Sequence, residues 1–303
     1  MNNAQLTRMH EGQGFVAALD QSGGSTPKAL ELYGIGKEQY HNEEEMFDLV
    51  HAMRTRVLTS PVFTADRILG VILFENTMLR TVEGEPTPDY LWQKKGIVPF
   101  LKIDQGLEDA ADGVQLMRPM PDLNDQLRRA RDRRVFGTKM RSVIHEANHD
   151  GIARVVEQQF EFAARIWQAG LVPIIEPEVS VFSADKAESE KVLLQEVTRH
   201  LEAWDASDKV MFKFSLPSVD NFYAGLMHDP RVVRIVALSG GYARKEADLR
   251  LARNQGMIAS FSRALLEGLS ARQTDAQFNA VLGESIEEIY RASTNEKVSP
   301  PTE

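Results

Sequence analysis

The sequence of 303 residues contains no cysteine, so disulfides, thiolate nucleophiles and cysteine–zinc sites are excluded. It also has no uninterrupted apolar run that approaches the length of a membrane span. The first residues, MNNAQLTRMHEGQG, lack the apolar core of a signal peptide. These absences predict a soluble cytoplasmic protein without a membrane partner.

Positive charge is scarce as well. The chain has 35 lysines and arginines against 44 aspartates and glutamates, which gives a formal net charge of -9. Nucleic-acid-binding proteins usually present a net basic surface, so nucleic acid is not the expected partner. The basic run RRARDRR at 128–134 follows apolar Leu123 and Leu127 on an amphipathic segment. We interpret it as a solvated helix face.

Eight short runs rich in Val, Ile, Leu and Phe recur along the chain. They cover 14–20, 69–75, 97–104, 135–141, 171–178, 209–215, 232–241 and 256–262, and helical periodicity falls at 43–58, 122–134, 152–168, 184–204, 244–255 and 275–292. Near-continuous apolar runs indicate strands buried on both faces, and their alternation with helices indicates βαβ units. The pattern predicts one α/β domain over 1–303, a (β/α)8 TIM barrel with additional N- and C-terminal helices. A disordered polar tail is expected from about residue 296 to 303.

Charged residues stand near the ends of several predicted strands. Three pairs are two residues apart, namely Lys102 with Asp104, Lys139 with Arg141, and Glu176 with Glu178, while Asp20 and Lys213 belong to two further strands. Residues two apart share one face of a strand, and barrel active sites lie at the carboxyl ends of the strands. Any single pair could be a structural salt bridge. Five strands that bring charges to one rim favour a functional site.

Lys213 lies in the run KVMFKFS, next to Phe212 and Phe214, with no carboxylate nearby in the sequence. Burial disfavours the charged form of an amine, and a neutral lysine can attack a carbonyl to form a Schiff base. Glu176 could then act as general acid and base. A purely structural ion pair is the alternative, and the charges expected around Lys213 favour the nucleophile.

Two stretches offer anion sites at the predicted barrel mouth. LSGGY at 238–242 supplies a hydroxyl and flexible backbone, and Arg263 opens a helix after the eighth run, where many barrels bind phosphate. DQSGGSTPK at 20–28 could form a second site with Lys102 and Arg141. Two such sites predict a substrate phosphorylated at both ends.

The stretch HEANH at 145–149 matches the H-E-x-x-H zinc-protease pattern. That pattern needs a helix to bring His145 and His149 to one face. Here it follows a strand and leads into Asp150 and Gly151, so a solvated loop is the better interpretation and no metal is predicted.

These stretches together resemble the class I fructose-1,6-bisphosphate aldolases, in particular the shorter bacterial members. In family order, from near residue 12 to near residue 270, the matches are GFVAALDQSGGSTPKAL, GVILFENTM, VPFLKID, FGTKMRSVI, GLVPIIEPEV, VMFKFSLP, VALSGGY and IASFSRAL. The resemblance implies reversible cleavage of fructose 1,6-bisphosphate to dihydroxyacetone phosphate and glyceraldehyde 3-phosphate, in glycolysis or gluconeogenesis. It implies no cofactor, a sugar phosphate as substrate partner, and association into homo-oligomers.

The resemblance also implies a role for each matching residue. Lys213 would form the Schiff base, Glu176 would dehydrate the carbinolamine, Asp20 would contact the C3 and C4 hydroxyls, Lys139 would stabilise charge near C2 and C4, and Glu178 would orient and tune the lysine group. The 1-phosphate would bind Ser239, Gly240, Gly241 and Arg263, and the 6-phosphate end would lie near Ser22, Ser25, Lys102 and Arg141. Gln21 and Met140 depart from the animal enzymes, which have glutamate and tryptophan there. Tyr290 is expected to pack on the last helix.

Three alternatives are open at this point. The chain could be a Schiff-base aldolase for another ketose bisphosphate, such as tagatose 1,6-bisphosphate. It could be a metal-dependent hydrolase that uses His145, Glu146 and His149. It could also be a non-catalytic protein that binds a phosphorylated ligand.

Overall fold

Eight parallel strands form a barrel in the computed structural model, which describes residues 2–22 and 25–295. The strands are β1 (Phe15–Leu19), β2 (Ile68–Leu73), β3 (Val98–Lys102), β4 (Gly137–Ile144), β5 (Val172–Val179), β6 (Val210–Ser215), β7 (Val232–Leu238) and β8 (Ile258–Ala259). Their order in the sheet is their order in the chain, and all neighbours are parallel. The Ala18 amide donates to the Phe261 carbonyl at 3.2 Å, which joins β1 to the segment after β8 and closes the barrel. The predicted fold is confirmed.

The helices surround this barrel. They are α1 (Asn3–Glu11), α2 (Ser25–Leu32), α3 (Glu43–Thr59), α4 (Glu75–Leu79), α5 (Thr87–Asp89), α6 (Leu123–Asp132), α7 (His149–Gln168), α8 (Lys186–Glu202), α9 (Arg244–Ala252), α10 (Arg263–Leu266) and α11 (Asp275–Ser293). Tyr90–Lys94 is π-helical, Lys37–Gln39 and Ala224–His228 are 3-10 turns, and Thr81–Val82 pairs antiparallel with Glu85–Pro86. All six helices predicted from periodicity are present, and α1 and α11 are the expected terminal helices.

Two strand predictions needed correction. Strand β4 continues to Ile144, past the predicted end at 141, because the short strand Val114–Gln115 pairs antiparallel with its last residues. Strand β8 is much shorter than the predicted run at 256–262, since the amide of Ala259 donates to Ser293 Oγ of α11. Side chains and neighbouring strands set these ends, and neither is visible in local hydrophobicity.

Apolar side chains pack in two layers. One cluster fills the barrel interior with residues such as Val16, Phe100, Ile174 and Met211, and Met9 of α1 closes its lower end. A larger cluster lies between the strands and the surrounding helices. The interior is therefore apolar at the amino ends of the strands, which leaves the charged residues at the carboxyl ends.

Several surface predictions can be compared with the structure. Leu123, Leu127 and Ala130 of α6 are buried, and Arg129 of the basic run pairs with Glu75 at 2.6 Å. That run is therefore an amphipathic helix face, as predicted.

Tyr290 is part of α11, and its ring packs under the Arg67 guanidinium, which lies 4.2 Å from the ring centroid. In the described ranges, the helices are too short or too polar to cross a membrane. The predicted tail at 296–303 lies outside the described residues.

Candidate active site

Four charged side chains meet at the carboxyl ends of β1, β4, β5 and β6. Lys139 Nζ lies 2.7 Å from Asp20 Oδ2 and 3.0 Å from Glu176 Oε2, and Glu176 Oε1 lies 3.1 Å from Lys213 Nζ. All four residues are buried, the most accessible being Asp20 at 8% exposure. We call this chain of alternating carboxylates and amines the inner quartet. Each of its members was predicted from its place near the end of an apolar run.

The alternation of side chains along the strands explains why these residues converge. Met211 belongs to the interior cluster and Phe212 to the outer one, so Lys213 points into the barrel. Ile174 lies in the interior cluster, and Glu176, two residues later, shares its face. Lys213 and Glu176 thus each follow an apolar residue on the inward face of their strand.

Proximity in the quartet controls its protonation. Burial alone would raise the pKa of Asp20, but the positive charges of Lys139 and Lys213 outweigh it and hold that pKa well below its ordinary value. The pKa of Glu176 is also lowered, because the same two lysines overcome the opposing effect of burial. Burial would lower the pKa of Lys139, yet Asp20 and Glu176 raise it above the ordinary lysine value. At neutral pH both carboxylates are ionised and Lys139 is protonated.

The partner of Lys213 comes from a neighbouring strand. No carboxylate lies near Lys213 in the sequence, and a buried ammonium without a partner is costly. Strand β6 pairs with β5 through Ile174 with Met211 and Ile175 with Phe212, and this register brings Glu176 beside Lys213. The carboxylate that the sequence appeared to lack is therefore supplied across the sheet.

Two further ion pairs surround the inner quartet. Lys102 Nζ lies 2.7 Å from Asp104 Oδ1, and Arg141 Nε lies 2.6 Å from Glu178 Oε2. Burial would lower the pKa of Arg141, but Glu178 raises it above the ordinary arginine value. Glu178 contacts Arg141 and not the lysine group that it was expected to orient, so that role stays a prediction. Together with the inner quartet, these two pairs comprise four carboxylates and four cations.

The loop after β7 lies beside Arg263, as predicted for an anion site. Ser239 directly follows β7 at 8% exposure, and Gly240 and Gly241 have φ of 62° and 120°. A Cβ on Gly240 would come within 2.6 Å of Val181 Cγ1, so glycine is required there by both conformation and space. A Cβ on Gly241 would lie 3.6 Å from Arg263 Nη2, which shows how near the guanidinium is. The backbone of the loop after β7 and the Arg263 guanidinium therefore lie next to each other.

A cavity of about 630 Å³ opens beside this loop, and Gln21, Gly241, Ser262 and Arg263 form the part of its wall that faces the rim. The side-chain nitrogen Nε2 of Gln21 donates to Ser262 Oγ, and this bond links the segments that follow β1 and β8. Ser22 follows Gln21 at the same rim and is partly exposed. The side chain of Ser25 and residues 23–24 lie outside the described residues. The second predicted anion site is thus only partly described.

Comparison with known proteins identifies the family. The model of the class-I fructose-bisphosphate aldolases matches residues 2–213, which is more than half of the chain. The chain belongs to the class I fructose-bisphosphate aldolase family. Aldolases named class 1 from Clostridium acetobutylicum and Porphyromonas gingivalis are 58% and 56% identical to it, each over 293 residues. Those alignments cover 97% of this chain and 99% of each relative.

A solved structure extends the family likeness to the fold. The fructose-bisphosphate aldolase from Plasmodium falciparum, solved with TRAP and a small molecule inhibitor, superposes with a TM-score of 0.76. The match covers 98% of this chain and 95% of that chain at 19% sequence identity. At that identity the likeness supports the barrel fold alone.

This aldolase family member also has a buried cation next to the segment after β1 that was not predicted from the sequence. Arg54 of α3 is 1% exposed, and it donates to the Gln21 carbonyl at 2.6 Å and to Thr77 Oγ1 at 2.7 Å. Burial lowers its pKa to about 10, despite attraction to Asp20. Arg54 occupies the apolar face of α3, four residues after buried Val50. A charged residue at a core position was the signal that could have revealed it.

The histidine pattern HEANH does not form a zinc-protease site. His145 follows β4 and His149 is the first residue of α7, so the two do not share a helical turn. His145 Nε2 lies 2.8 Å from Gln115 Oε1, while Glu146 and His149 are exposed. Within residues 2–22 and 25–295, no group of three or more histidines and carboxylates could hold a metal ion.

Proposed function

We propose that the chain cleaves fructose 1,6-bisphosphate reversibly into dihydroxyacetone phosphate and glyceraldehyde 3-phosphate, with Lys213 as the Schiff-base lysine. Membership of the class I fructose-bisphosphate aldolase family supports the reaction. The observation that carries the residue assignment is the buried contact of 3.1 Å between Lys213 Nζ and Glu176 Oε1. It pairs an amine with a proton acceptor at the mouth of the barrel.

Imine formation needs only this pair. Glu176 takes one proton from the Lys213 ammonium, and the neutral amine attacks the C2 carbonyl carbon. A proton moves from nitrogen to oxygen to give the carbinolamine, and Glu176 returns its proton to the leaving hydroxyl. Water departs and a positively charged iminium remains. The distance of 3.1 Å between Lys213 Nζ and Glu176 Oε1 is within reach for the first of these proton transfers.

The iminium then drives cleavage. The electron pair of the C3–C4 bond moves into the iminium, while a carboxylate removes the proton of the C4 hydroxyl, and glyceraldehyde 3-phosphate leaves. We assign this proton to Glu176, with Asp20 aligning the hydroxyls. Lys139, held between the two carboxylates, would stabilise negative charge at the C2 and C4 oxygens. The enamine is protonated at C3, and hydrolysis frees dihydroxyacetone phosphate and Lys213.

The two ends of the substrate would bind on opposite sides of the inner quartet. For the 1-phosphate, support comes from the left-handed backbone at Gly240 and Gly241, which turns the loop next to Arg263, with Ser239 beside them. For the 6-phosphate end the proposed residues are Ser22, Ser25, Lys102 and Arg141. Lys102 and Arg141 bring the positive charge, each already held by a carboxylate. A cytoplasmic location and a homo-oligomeric state also belong to this proposal, and size-exclusion chromatography with light scattering tests the latter.

Borohydride trapping tests the assignment of Lys213. The protein is incubated with dihydroxyacetone phosphate and sodium borohydride, digested, and mapped by mass spectrometry. We expect a reduced adduct on Lys213, no adduct in Lys213→Ala, and a loss of kcat by more than about 10³-fold in that variant. Lys209→Ala is the matched control, because Lys209 lies four residues earlier and donates to the Pro230 carbonyl at the surface. An adduct on another lysine, or an active Lys213→Ala enzyme, would reject the mechanism.

A further inference from the structure

The hydrogen-bonded ladder between β5 and β6 stops just below the reacting pair. Strand β5 pairs with β4 along its whole length, from Val172 to Val179, but with β6 only at Ile174 and Ile175. The next residue is Glu176, followed by Pro177, which has no amide hydrogen to donate. The two strands that carry Glu176 and Lys213 are therefore not joined by backbone pairing at the level of those side chains.

One side chain bridges this gap, and another binds the backbone of Glu176 from helix α7. The amide of Glu176 donates to Gln159 Oε1 of α7 at 2.8 Å, and both residues are buried. Higher up, Ser215 Oγ of β6 donates to the carbonyl of Val179 in β5. Gln159 thus binds the backbone of the residue that carries the reacting carboxylate. It fixes the backbone of Glu176 from outside the barrel.

Packing alone gives no reason for a glutamine at this position. Gln159 has no exposed surface, and its neighbours on the inward face of α7 include Val155, Val156 and Ala163. Within the described residues its amide nitrogen has no hydrogen-bond partner, which is costly for a buried donor. A side chain kept at such a cost indicates a requirement at its other end, the amide of Glu176.

We propose that Gln159 is a positioning residue for the aldolase reaction. By holding the backbone amide of Glu176, Gln159 fixes the position of the Glu176 carboxylate along the barrel axis. That carboxylate lies 3.0 Å from Lys139 Nζ and 3.1 Å from Lys213 Nζ. The inference rests on the proposed function, since it gives Glu176 the proton transfers at Lys213. Loss of the bond would impair those transfers and leave the phosphate-binding loops of β7 and β8 unchanged.

Neighbouring glutamines on α7 make a matched comparison. The side chain of Gln158 also forms hydrogen bonds with backbone groups. It accepts from the Met117 amide at 2.9 Å and donates to the Met117 carbonyl at 3.0 Å. In the described residues, the hydrogen bonds of Gln158 go to Met117 and not to the inner quartet. The variants are Gln159→Met, which removes the acceptor at similar volume, Gln159→Glu, which keeps an acceptor oxygen, and Gln158→Met as control.

Steady-state kinetics and the rate of borohydride trapping are measured for all three variants. We expect Gln159→Met to lower kcat and the trapping rate by about 10- to 100-fold, with KM within about threefold of the parent. Gln159→Glu should recover most of that loss, and Gln158→Met should keep kcat within about twofold. If Gln159→Met does not fold, Gln159→Asn, whose amide is one methylene short, is judged by the same criteria.

Three results would overturn the inference. They are an unchanged kcat in Gln159→Met, a loss no larger than that of Gln158→Met, and a loss that appears in KM alone. Failure of the proposed function is separate, because it would appear in the parent protein as the absence of an adduct on Lys213. A normal parent adduct with unaffected Gln159 variants rejects only the positioning role.

Discussion

Lys139 organises the charges at the barrel mouth because it alone among the inner quartet contacts two carboxylates in the described structure. Its distances to Asp20 and Glu176 are 2.7 and 3.0 Å. This double contact keeps its amine protonated and both carboxylates ionised. Lys213 contacts only Glu176, which leaves its amine with a single proton acceptor. Two lysines in one pocket thus have different chemistry, a fixed cation and a nucleophile, through the number of their partners.

Asp248 is a buried acid outside the active site whose surroundings have the opposite effect. It lies on α9 at 2% exposure, and its Oδ1 has no hydrogen-bond partner among the described residues. Burial, with repulsion from Glu288 and Glu267, outweighs attraction to Arg244 and raises its pKa to about 7. Arg244 itself pairs with Glu288 of α11 at 2.8 Å. Among the described residues, Asp248 therefore forms no ion pair with a cation.

The contribution of Asp248 to stability should consequently fall as the pH rises from about 4 to about 7. In this window folded Asp248 keeps a proton that the unfolded chain, with a pKa near 4, has released. We expect Asp248→Asn to raise the free energy of unfolding by about 2–4 kcal/mol at pH 8 and to change it little at pH 4. Urea unfolding at both pH values measures this, with Glu246→Gln on the same helix as control. An equal gain at both pH values would contradict the raised pKa.

Single residues were the most predictable part of the site, with two exceptions. Charge at a strand end is visible in the sequence, so every member of the inner quartet could be selected. The partner of each residue could not, because the contact between Lys213 and Glu176 depends on the register of β5 and β6. Arg54 and Gln159 were not predicted since each comes from a helix and not from a strand end, and only their positions on the apolar faces of α3 and α7 set them apart.

At the level of elements, strands β4 and β5 form the most complete ladder of the barrel, with eight paired residues on each. Gly137 allows their close approach at its lower end. A Cβ there would lie 2.3 Å from the Val172 carbonyl oxygen and 2.9 Å from the Phe100 ring. Lys139 and Glu176 lie further up these two strands. The distance between β4 and β5 therefore affects the distance between Lys139 and Glu176.

Gly137→Ala should separate β4 from β5 and destabilise the protein by about 1–3 kcal/mol, since an overpacked site must shift backbone. Activity should fall too, because Lys139 and Glu176 move with their strands. Gly225→Ala is the control, as a Cβ at Gly225 meets no atom within 4 Å. Unfolding in urea and kcat are compared for both. Full stability in Gly137→Ala would show that the ladder adapts without cost.

Element boundaries were less predictable than the elements themselves. Helix α7 begins at His149, three residues before the periodic pattern, because Asn148 caps it by accepting from the Gly151 amide at 2.9 Å. Short helices such as α4 lack enough turns for periodicity to register. Strand β8 ends early because Ser293, 34 residues away, binds its amide. Such ends are decided by single side chains at long range.

Across the whole molecule, the two ends of the barrel differ in structure and in expected role. The carboxyl end holds the inner quartet, and the amino end is closed by α1, where Met9 is fully buried in the interior cluster. Arg234 fastens this helix by donating to the Met9 carbonyl at 2.9 Å. The order of strands around the barrel followed from the alternation of eight runs with helices. The position of α1 across the amino end of the barrel could not be predicted in this way. The opening that α1 covers exists only once the eight strands have closed into a barrel.

Met9→Ala should therefore affect stability but not chemistry. Removing most of a buried methionine side chain costs about 2–5 kcal/mol when the site cannot collapse. We expect that loss in the free energy of unfolding, with kcat within about twofold of the parent at a temperature where both are folded. Calorimetry and steady-state kinetics check the two parts. A parallel loss of kcat would mean that the lower end is coupled to the active site.

The alternating carboxylates and amines of the inner quartet have a consequence for the energetics of the first chemical step. An ammonium on Lys213 becomes an iminium, and the molecule that leaves is neutral water, so the step begins and ends with the same number of formal charges. The surrounding dipoles then need little reorganisation, which suits a pocket shielded from solvent. Dissolved salt screens exposed charges far more than buried ones. Ionic strength should accordingly act on the capture of the phosphorylated substrate and hardly on its conversion to the imine.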